Sequence, residues 1–275
     1  MSTGPIALFD SGVGGLSVLR HVRRQLPGES LIYLADQAHV PYGARAASEI
    51  RAFSRAVTRF FLGQGAKLVV VACNTASAAA LDDLRRCFPE LPFVGMEPAV
   101  KPAALHTKSG KVGVLATEGT FGSERYASLM HRFAAHVEVF EDPCPGLVAT
   151  IETGALSEPA TEALLQQALD PMLAAGVDTL VLGCTHYPFI EPLIQKIAIE
   201  QLSHPLTIID PAPAVATQTV RVLHRHSLAT ADPAAAVRLY TSGAPEPFAA
   251  LATRLLEHAY PVQQVVWHRG KLIAA

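Results

Sequence analysis

Two cysteines, Cys73 and Cys184, occupy matching sequence contexts that could support proton-transfer chemistry. Each follows a short apolar run, residues 68–72 in one case and 180–183 in the other, and each precedes polar residues. A thiol reacts as its thiolate, which a helix N-terminus or a protonated histidine stabilises. Matched contexts favour a pair of reactive thiols over two inert buried ones, and both cysteines are expected where a strand passes into a helix.

The elements that carry these cysteines are predicted from the apolar runs themselves. Short apolar runs bounded by Gly and Pro are typical of buried strands rather than helices. In open α/β sheets, ligands bind beyond the carboxyl ends of the parallel strands. Since the two cysteines lie in distant parts of the chain, each is expected to belong to its own α/β unit. We expect the two units to face each other, with one thiol on each wall of a shared cleft.

The whole chain repeats a strand, turn and helix pattern with short loops, which implies parallel strands with crossover helices on both faces. The predicted fold class is α/β, with two similar domains of mainly parallel sheets flanked by helices and the active site in the cleft between them. The predicted domains are 1–96 plus 210–275, on the Cys73 side, and 97–209, on the Cys184 side. Residues 97–111 are predicted to cross between them.

The expected elements follow the same pattern along the chain. Strands are predicted over 6–9, 31–35, 68–72, 93–96, 111–116, 137–140, 179–182, 206–210, 237–242 and 262–267. Helices are predicted to open after the Gly-rich turn at residue 16 and after Cys73, and to cover 46–62, 124–132, 159–174, 190–200 and 213–224. We expect the last strands to return to the first domain.

Composition excludes several classes of partner. The 275 residues include 22 basic and 24 acidic side chains, a formal net charge of −2, which gives no field for nucleic acid or an anionic membrane surface. Half of the residues are hydrophobic, enough for a sizeable core. No apolar run reaches the roughly 18 residues that span a bilayer. Without a visible signal peptide, the expected location is the cytoplasm.

The remaining cysteines and the isolated histidines give weaker signals. Cys87 and Cys144 have no acid, base or polar cluster beside them in the sequence, which favours structural roles. The spacing of the four cysteines indicates neither a disulfide scaffold nor a metal motif. A metal site built on Cys184 and His186 would need further ligands that the pattern does not supply, so no metal is predicted.

The segment Gly12-Val13-Gly14-Gly15 after the first strand invites a dinucleotide-binding interpretation. That motif requires a third Gly where Ser17 stands, and the charge of Asp10 before the loop would oppose a pyrophosphate. We favour a helix N-terminus that presents N–H groups to a small carboxylate. Asp10 and Ser11 would then hold a cationic amine or orient a neighbour.

Taken together, four segments resemble the glutamate racemases, members of the cofactor-independent aspartate/glutamate racemase superfamily. These segments are Phe9-Asp10-Ser11-Gly12-Val13-Gly14-Gly15-Leu16, Pro41-Tyr42-Gly43, Ala72-Cys73-Asn74-Thr75-Ala76-Ser77 and Gly183-Cys184-Thr185-His186-Tyr187-Pro188. The resemblance implies interconversion of L- and D-glutamate without a cofactor, supplying D-glutamate for peptidoglycan synthesis, cell wall biogenesis and cell shape. It also implies a cytoplasmic homodimer that binds glutamate as its small-molecule partner.

The resemblance also assigns roles by position. Cys73 and Cys184 match the two acid/base residues, and Glu152 matches an auxiliary acid. The substrate-contacting positions are matched by Asp10, Ser11, Tyr42, Gly43, Asn74, Thr75, Thr185 and His186. One departure is Gln37-Ala38-His39, where the family more often carries Thr and Arg. We interpret it as tolerated loop variation that could alter substrate entry.

Two other functions stay open on the residues. One is a racemase of the same superfamily that acts on aspartate or a hydantoin, because one methylene changes selectivity by only about 1–3 kcal/mol. The other is a two-lobed binding protein that closes on an amino acid, in which paired cysteines would have no purpose. Racemisation needs an acid and a base on opposite faces of one carbon, which a thiol and a thiolate supply.

Overall fold

The computed structural model describes residues 4–275, which divide into two compact units. The first comprises the described residues up to Met96 together with Ala212–Ala275, and the second comprises Glu97–Pro211. Each unit contains a mainly parallel sheet with helices packed on it, which confirms the α/β fold class.

The strands follow the apolar runs of the sequence closely. They are β1 (Ile6–Asp10), β2 (Leu31–Ala35), β3 (Leu68–Val71), β4 (Phe93–Val94), β5 (Lys111–Leu115), β6 (Glu138–Asp142), β7 (Thr179–Leu182), β8 (Thr207–Ile209), β9 (Val237–Thr241), β10 (Val262–His268) and β11 (Lys271–Ala274). The side chains of β1, β2, β3 and β7 are buried throughout. Continuous burial is what helices on both faces of a parallel sheet produce.

The helices alternate with these strands. They are α1 (Leu16–Gln25), α2 (Ala47–Gly63), α3 (Asn74–Cys87), α4 (Val100–His106), α5 (Glu118–Phe121), α6 (Glu124–Phe133), α7 (Leu147–Glu152), α8 (Pro159–Ala174), α9 (Glu191–Gln201), α10 (Ala212–Arg225) and α11 (Pro245–Leu256). Two short 3-10 turns, Tyr42–Ala44 and Tyr187–Ile190, precede α2 and α9. Leu16, Leu19 and Val22 lie on one face of α1 and are buried, as the helical spacing predicts.

The sheet of the first unit has the order β11-β10-β9-β2-β1-β3-β4. All neighbours pair in parallel except β10 and β11, which form an antiparallel hairpin at one edge. The strand β9 pairs with β2, so the C-terminal segment completes the sheet that the N-terminal segment begins. Because β1 lies between β2 and β3, the residues that follow these three strands meet at one edge of the sheet.

The sheet of the second unit has the order β6-β5-β7-β8, and all of its strands are parallel. This order repeats the β2-β1-β3-β4 part of the first sheet, with β5 and β7 in the places of β1 and β3. Cys73 follows β3 and Cys184 follows the end of β7 after one glycine. The two cysteines therefore occupy equivalent positions in two sheets of the same strand order.

Nearly all predicted elements are confirmed. The part of the chain that the structure describes also contains five helices and strands that were not predicted, either because they contain proline or because they are short. The helix α4 lies in the segment 97–111 that was expected only to cross between domains, and it contains Pro102. The helix α11 begins Pro245-Glu246-Pro247, which indicates a turn when read without its context. The short elements α5, α7 and β11 span four to six residues, too few to show a period. Among residues 4–275, no helix combines the length and the apolar character needed to cross a bilayer.

Asp178, directly before β7, connects the start of that strand to the loop that precedes β5. Its carboxylate accepts bonds from the Thr107 hydroxyl at 2.6 Å, the Lys108 and Ser109 backbone N–H groups at 2.7 Å each, and the Thr179 hydroxyl at 2.9 Å. Partial burial raises the pKa of Asp178, but these bonds outweigh that effect and bring the pKa to about 2. The ionised carboxylate therefore stabilises the folded chain.

We expect Asp178→Asn to lower the free energy of unfolding at pH 7 by about 1 kcal/mol. One pKa unit corresponds to about 1.4 kcal/mol, and solvent screening of this partly exposed carboxylate reduces its contribution. A depressed pKa stabilises the fold above the unfolded value of about 3.9, and this contribution disappears as the pH falls through about 2. Urea denaturation between pH 7 and pH 2 measures the difference. Asp170→Asn, at an exposed carboxylate of α8 that accepts one bond from Gln201, is the control. Equal effects of both substitutions at pH 7 would contradict the assignment.

Candidate active site

Cys73 is placed by the passage from β3 into α3. It is the N-cap residue of α3, it is 4% exposed, and its sulfur accepts the backbone N–H of Ala76 at 3.5 Å. The N-terminus of a helix carries partial positive charge, which stabilises an anion placed there. The structure therefore gives Cys73 the strand-to-helix setting that the sequence predicts.

Asp10 ends β1 beside Cys73 and is fully buried. Its carboxylate accepts the backbone N–H groups of Ser11 at 2.6 Å and Gly15 at 2.7 Å. Gly15 is the N-cap residue of α1, and Ser11 lies in the loop before it. The N–H groups of Leu16, Ser17 and Val18 are bonded to backbone carbonyls, whereas the sequence predicts that the N–H groups at this helix start face a small bound carboxylate. The negative charge of Asp10 is held in place by the loop that follows it.

Close backbone approach explains two of the glycines in these segments. A Cβ atom on Gly15 would lie 2.9 Å from the carbonyl oxygen of Ala72, directly before Cys73. A Cβ atom on Gly183 would lie 2.8 Å from the carbonyl oxygen of Leu115. Real Cβ atoms do not approach oxygens so closely, so each glycine allows a cysteine-bearing strand end to sit against its neighbour.

Tyr42 is the first residue of the 3-10 turn that packs against α3, and it is buried. Its hydroxyl donates to the Asp36 carboxylate at 2.7 Å. Burial first, and then the charge of Asp36, raise the pKa of Tyr42 well above its usual value, with smaller contributions from Cys73 and Asp10. The phenol therefore stays neutral, and it lies within electrostatic range of Cys73 and Asp10.

Asn74 differs from its neighbours because its side-chain amide is buried without a hydrogen-bond partner within residues 4–275. It is 4% exposed, and neither its amide nitrogen nor its amide oxygen has a hydrogen-bond partner within residues 4–275. An unsatisfied buried polar group costs about 1–3 kcal/mol, and such groups are rare in folded proteins. An amide donor and an amide acceptor directly after Cys73 are thus available to a polar ligand.

In the second unit, Cys184 is joined to a histidine and a glutamate. Its sulfur lies 3.6 Å from Nδ1 of His186, and Nε2 of His186 lies 2.6 Å from Oε1 of Glu152. All three side chains are largely buried. Burial lowers the pKa of His186, but the bonds to Cys184 and Glu152 outweigh it and raise the pKa well above 6.5. A protonated imidazole would donate to both partners and place positive charge beside the Cys184 sulfur.

Cys184 lies in the passage from β7 to α9, the strand-to-helix setting that the sequence predicts, and six residues separate it from the helix. The residues after it form the 3-10 turn Tyr187–Ile190, whose N-cap residue is His186, and the α-helix α9 begins only at Glu191. Pro188 lies within that turn. The charged imidazole of His186, rather than the end of a helix, is therefore the group that can stabilise negative charge on Cys184.

Cys144 is closer to this chemistry than its sequence context suggested. It is buried in the same hydrophobic cluster as Cys184 and Tyr187. Burial first, and then the charge of Asp142, raise the pKa of Cys144 well above its ordinary value. A neutral, buried thiol fits the structural role that was predicted, but the expectation of isolation from polar groups is wrong. Cys87, in contrast, is exposed at the end of α3.

The predicted site residues assemble within each unit at the carboxyl ends of its strands. In the first unit these are Asp10, Ser11, Tyr42, Gly43, Cys73, Asn74 and Thr75, and in the second they are Glu152, Cys184, Thr185 and His186. Asp36 is not among the predicted site residues, although its position directly after β2, six residues before Tyr42, is a signal that indicates it. Across residues 4–275, no three His, Cys, Asp or Glu side chains are grouped as metal ligands would be.

Comparison with known proteins gives a consistent result. The family model described as Asp/Glu/hydantoin racemase matches residues 12–219. A glutamate racemase of Ectopseudomonas mendocina is 54% identical over 242 residues, covering 88% of this chain and 90% of the relative.

Solved structures of the same name share the fold over nearly the whole chain. The glutamate racemase isoform RacE1 from Bacillus anthracis has a TM-score of 0.86 and 33% identity, covering 98% of this chain and 100% of that one. The Escherichia coli glutamate racemase in complex with L-glutamate and the activator UDP-MurNAc-ala has a TM-score of 0.81 and 33% identity, covering 99% of each chain.

We expect Glu152→Gln to lower the pKa of His186, because the carboxylate bond is lost and the opposing effect of burial then has less to overcome. Titration of the imidazole resonances by NMR, assigned with the His186→Gln variant, measures the shift. Glu162→Gln, at a glutamate that pairs with the exposed Lys196 at 2.6 Å, is the matched control and should leave His186 unchanged. An unaltered His186 titration in Glu152→Gln would contradict the proposed charge on the imidazole.

Proposed function

Since the chain belongs to the Asp/Glu/hydantoin racemase family, we propose that it is an enzyme that interconverts L- and D-glutamate. The support for glutamate as substrate is the name of relatives that are about half identical over most of the chain. The structural observation that carries the proposal is that two buried thiols at equivalent strand ends each have a partner that stabilises negative charge. Neither partner would be needed by an inert cysteine.

The proposed reaction uses Cys73 and Cys184 as the two acid/base groups. One thiolate removes the proton from Cα of glutamate, and the other thiol delivers its proton to the opposite face of the same carbon. The two sulfurs exchange protonation states in the process, and the reverse reaction restores them. The Ala76 N–H stabilises negative charge on Cys73, and the His186 imidazolium stabilises it on Cys184.

The carbanion formed at Cα is far less stable than a thiolate, so the site must stabilise it. Preorganised N–H groups and hydroxyls directed at the developing charge are the usual source of such stabilisation. We propose that the unpartnered amide of Asn74 binds the substrate, which would satisfy both of its polar atoms. The proposed substrate-contacting residues are Asp10, Ser11, Tyr42, Gly43, Asn74, Thr75, Thr185 and His186. Glu152 acts as the auxiliary acid that keeps His186 charged.

The charges of Asp10 and His186 also suggest how the acidity of each thiol is adjusted. Asp10 ends β1, and Cys73 follows β3, the strand that pairs with β1 in the sheet. The Asp10 carboxylate is held by the N–H groups of Ser11 and Gly15, and its charge can be neutralised by an ammonium group. We propose that the α-ammonium group of the substrate is its partner during turnover. The buried charge of His186 has the opposite sign and serves Cys184.

We further propose the biological setting that the family resemblance implies. Residues 1–96 with 210–275 form the domain that contributes Cys73, and residues 97–209 form the domain that contributes Cys184. Two copies of the chain associate as a homodimer in the cytoplasm. The D-glutamate that they produce enters peptidoglycan synthesis.

Replacing either thiol tests the two-base mechanism. We expect Cys73→Ala and Cys184→Ala each to reduce racemisation in both directions by about 10²–10⁴-fold or more, the usual contribution of a positioned acid or base. Formation of D-glutamate from L-glutamate, and of L- from D-glutamate, measures the loss. Cys87→Ala, which removes an exposed thiol, is the control and should keep normal turnover. Normal two-way turnover by either of the first two variants would count against the mechanism.

Exchange of solvent deuterium into Cα separates the candidate functions. We expect exchange with glutamate and at least about ten-fold slower exchange with aspartate, because one methylene changes binding by about 1–3 kcal/mol. A binding protein that merely closes on an amino acid would show no exchange with either substrate. Faster exchange with aspartate would instead assign the chain to the aspartate branch of the family.

A further inference from the structure

Asp36, at the end of β2, is the centre of a hydrogen-bond cluster that the proposed reaction does not use. Its carboxylate is fully buried and accepts four side-chain bonds. The donors are His39 Nδ1 at 2.9 Å, the Tyr42 hydroxyl at 2.7 Å, the Ser242 hydroxyl at 2.7 Å and Trp267 Nε1 at 2.7 Å. An ionised carboxylate has acceptor capacity for all four, so each donor is satisfied.

The two oxygens of this carboxylate have different neighbours. Oδ2 accepts from His39 and Tyr42, which lie in the loop directly after β2. Oδ1 accepts from Ser242, which directly follows β9, and from Trp267 in β10 of the same sheet. The carboxylate therefore links the Tyr42 turn to the end of the chain.

Aromatic packing fixes the direction of the Trp267 N–H group. The indole ring meets the edge of His39 at 4.8 Å and of Phe53 at 5.6 Å between ring centroids. His39 in turn stacks on Phe53 at 3.9 Å, nearly parallel. Edge-to-face and stacked contacts of this kind have preferred geometries, so the indole cannot rotate away from Asp36 without losing both of them.

The Tyr42 hydroxyl has one proton, which it donates in the hydrogen bond to Asp36. The position of the phenol, and of the 3-10 turn Tyr42–Ala44 that contains Gly43, is therefore set by where Asp36 is held. The turn packs on α3, the helix whose N-cap residue is Cys73. A displacement of Asp36 would move the turn relative to that helix.

We propose that Trp267 is a positioning residue for the glutamate site: its N–H group holds Asp36, and Asp36 holds Tyr42 and Gly43 against Cys73. The C-terminal strand β10 is thus part of the binding machinery without touching the substrate. This inference rests on the proposed function, because it is expressed in the affinity for glutamate.

The chain contains a single tryptophan, which permits an atomic test. Global replacement of tryptophan by 3-benzothienyl-alanine changes only residue 267, substituting sulfur for the N–H group while keeping the size of the ring. We expect KM for glutamate to rise about five-fold with kcat little changed, the pattern of lost ground-state positioning. Ile273→Ala, at a half-exposed residue of the adjoining strand β11, is the control and should leave KM unchanged.

A double-mutant cycle distinguishes positioning from general destabilisation. If Trp267 acts through Tyr42, the analogue should add no further increase in KM in a Tyr42→Phe background, because coupled residues are not additive. A second variant serves if the labelled protein does not fold. Ser242→Ala removes the other donor to Oδ1 of Asp36 without altering the aromatic cluster, and we expect it to raise KM in the same way. An unchanged KM, or an equal increase in both backgrounds, would overturn the inference. Absence of racemisation by the unaltered protein would instead overturn the proposed function.

Discussion

The in-register pairing of parallel strands is the constraint on which the candidate site depends. Asp10 pairs with Ala35 and Phe9 pairs with Val71, so β1, β2 and β3 end at nearly the same level. Neighbouring strands lie about 4.8 Å apart, which leaves the side chains that follow them within reach of one another. In the second unit, Leu182 pairs with Leu115, which sets the level at which Cys184 emerges. The same strand order in both sheets places the two thiols at equivalent strand ends, although their polar neighbours differ.

Polar side chains at the ends of buried strands need hydrogen-bond partners to offset their loss of contact with water. Among the residues that the structure describes, some have such partners and others do not. Asp10 and Asp36 are satisfied by short bonds from this chain, and Glu152 and His186 satisfy each other. The amide of Asn74 is buried to the same degree but stays unpaired. Since burial without hydrogen bonds is unfavourable, a polar ligand that bonded to the Asn74 amide would remove this cost.

Much of this arrangement was predictable because its determinants are local. Apolar runs that end in Gly or Cys predict the strands, and the capping position of Cys73 follows from the helical spacing after it. The surroundings of Cys184 were less predictable, since no apolar spacing marks the 3-10 turn Tyr187–Ile190 that separates it from α9. The short helix that ends at Glu152 has too few residues to show a period, so the neighbour of that carboxylate could not be inferred from pattern.

Hydrophobic periodicity and turn chemistry act between near neighbours, so the type and order of the elements, and the residues at their carboxyl ends, could be predicted from the amino-acid sequence. Which of those residues contact one another follows from the packing of distant segments. Glu152 reaches His186 across 34 positions, and Trp267 reaches Asp36 across 231. Such contacts depend on strand register and on the return of the C-terminal strands to the first sheet. Burial of the whole hydrophobic core provides the free energy that brings these distant segments together, and a local sequence pattern does not indicate which segments meet.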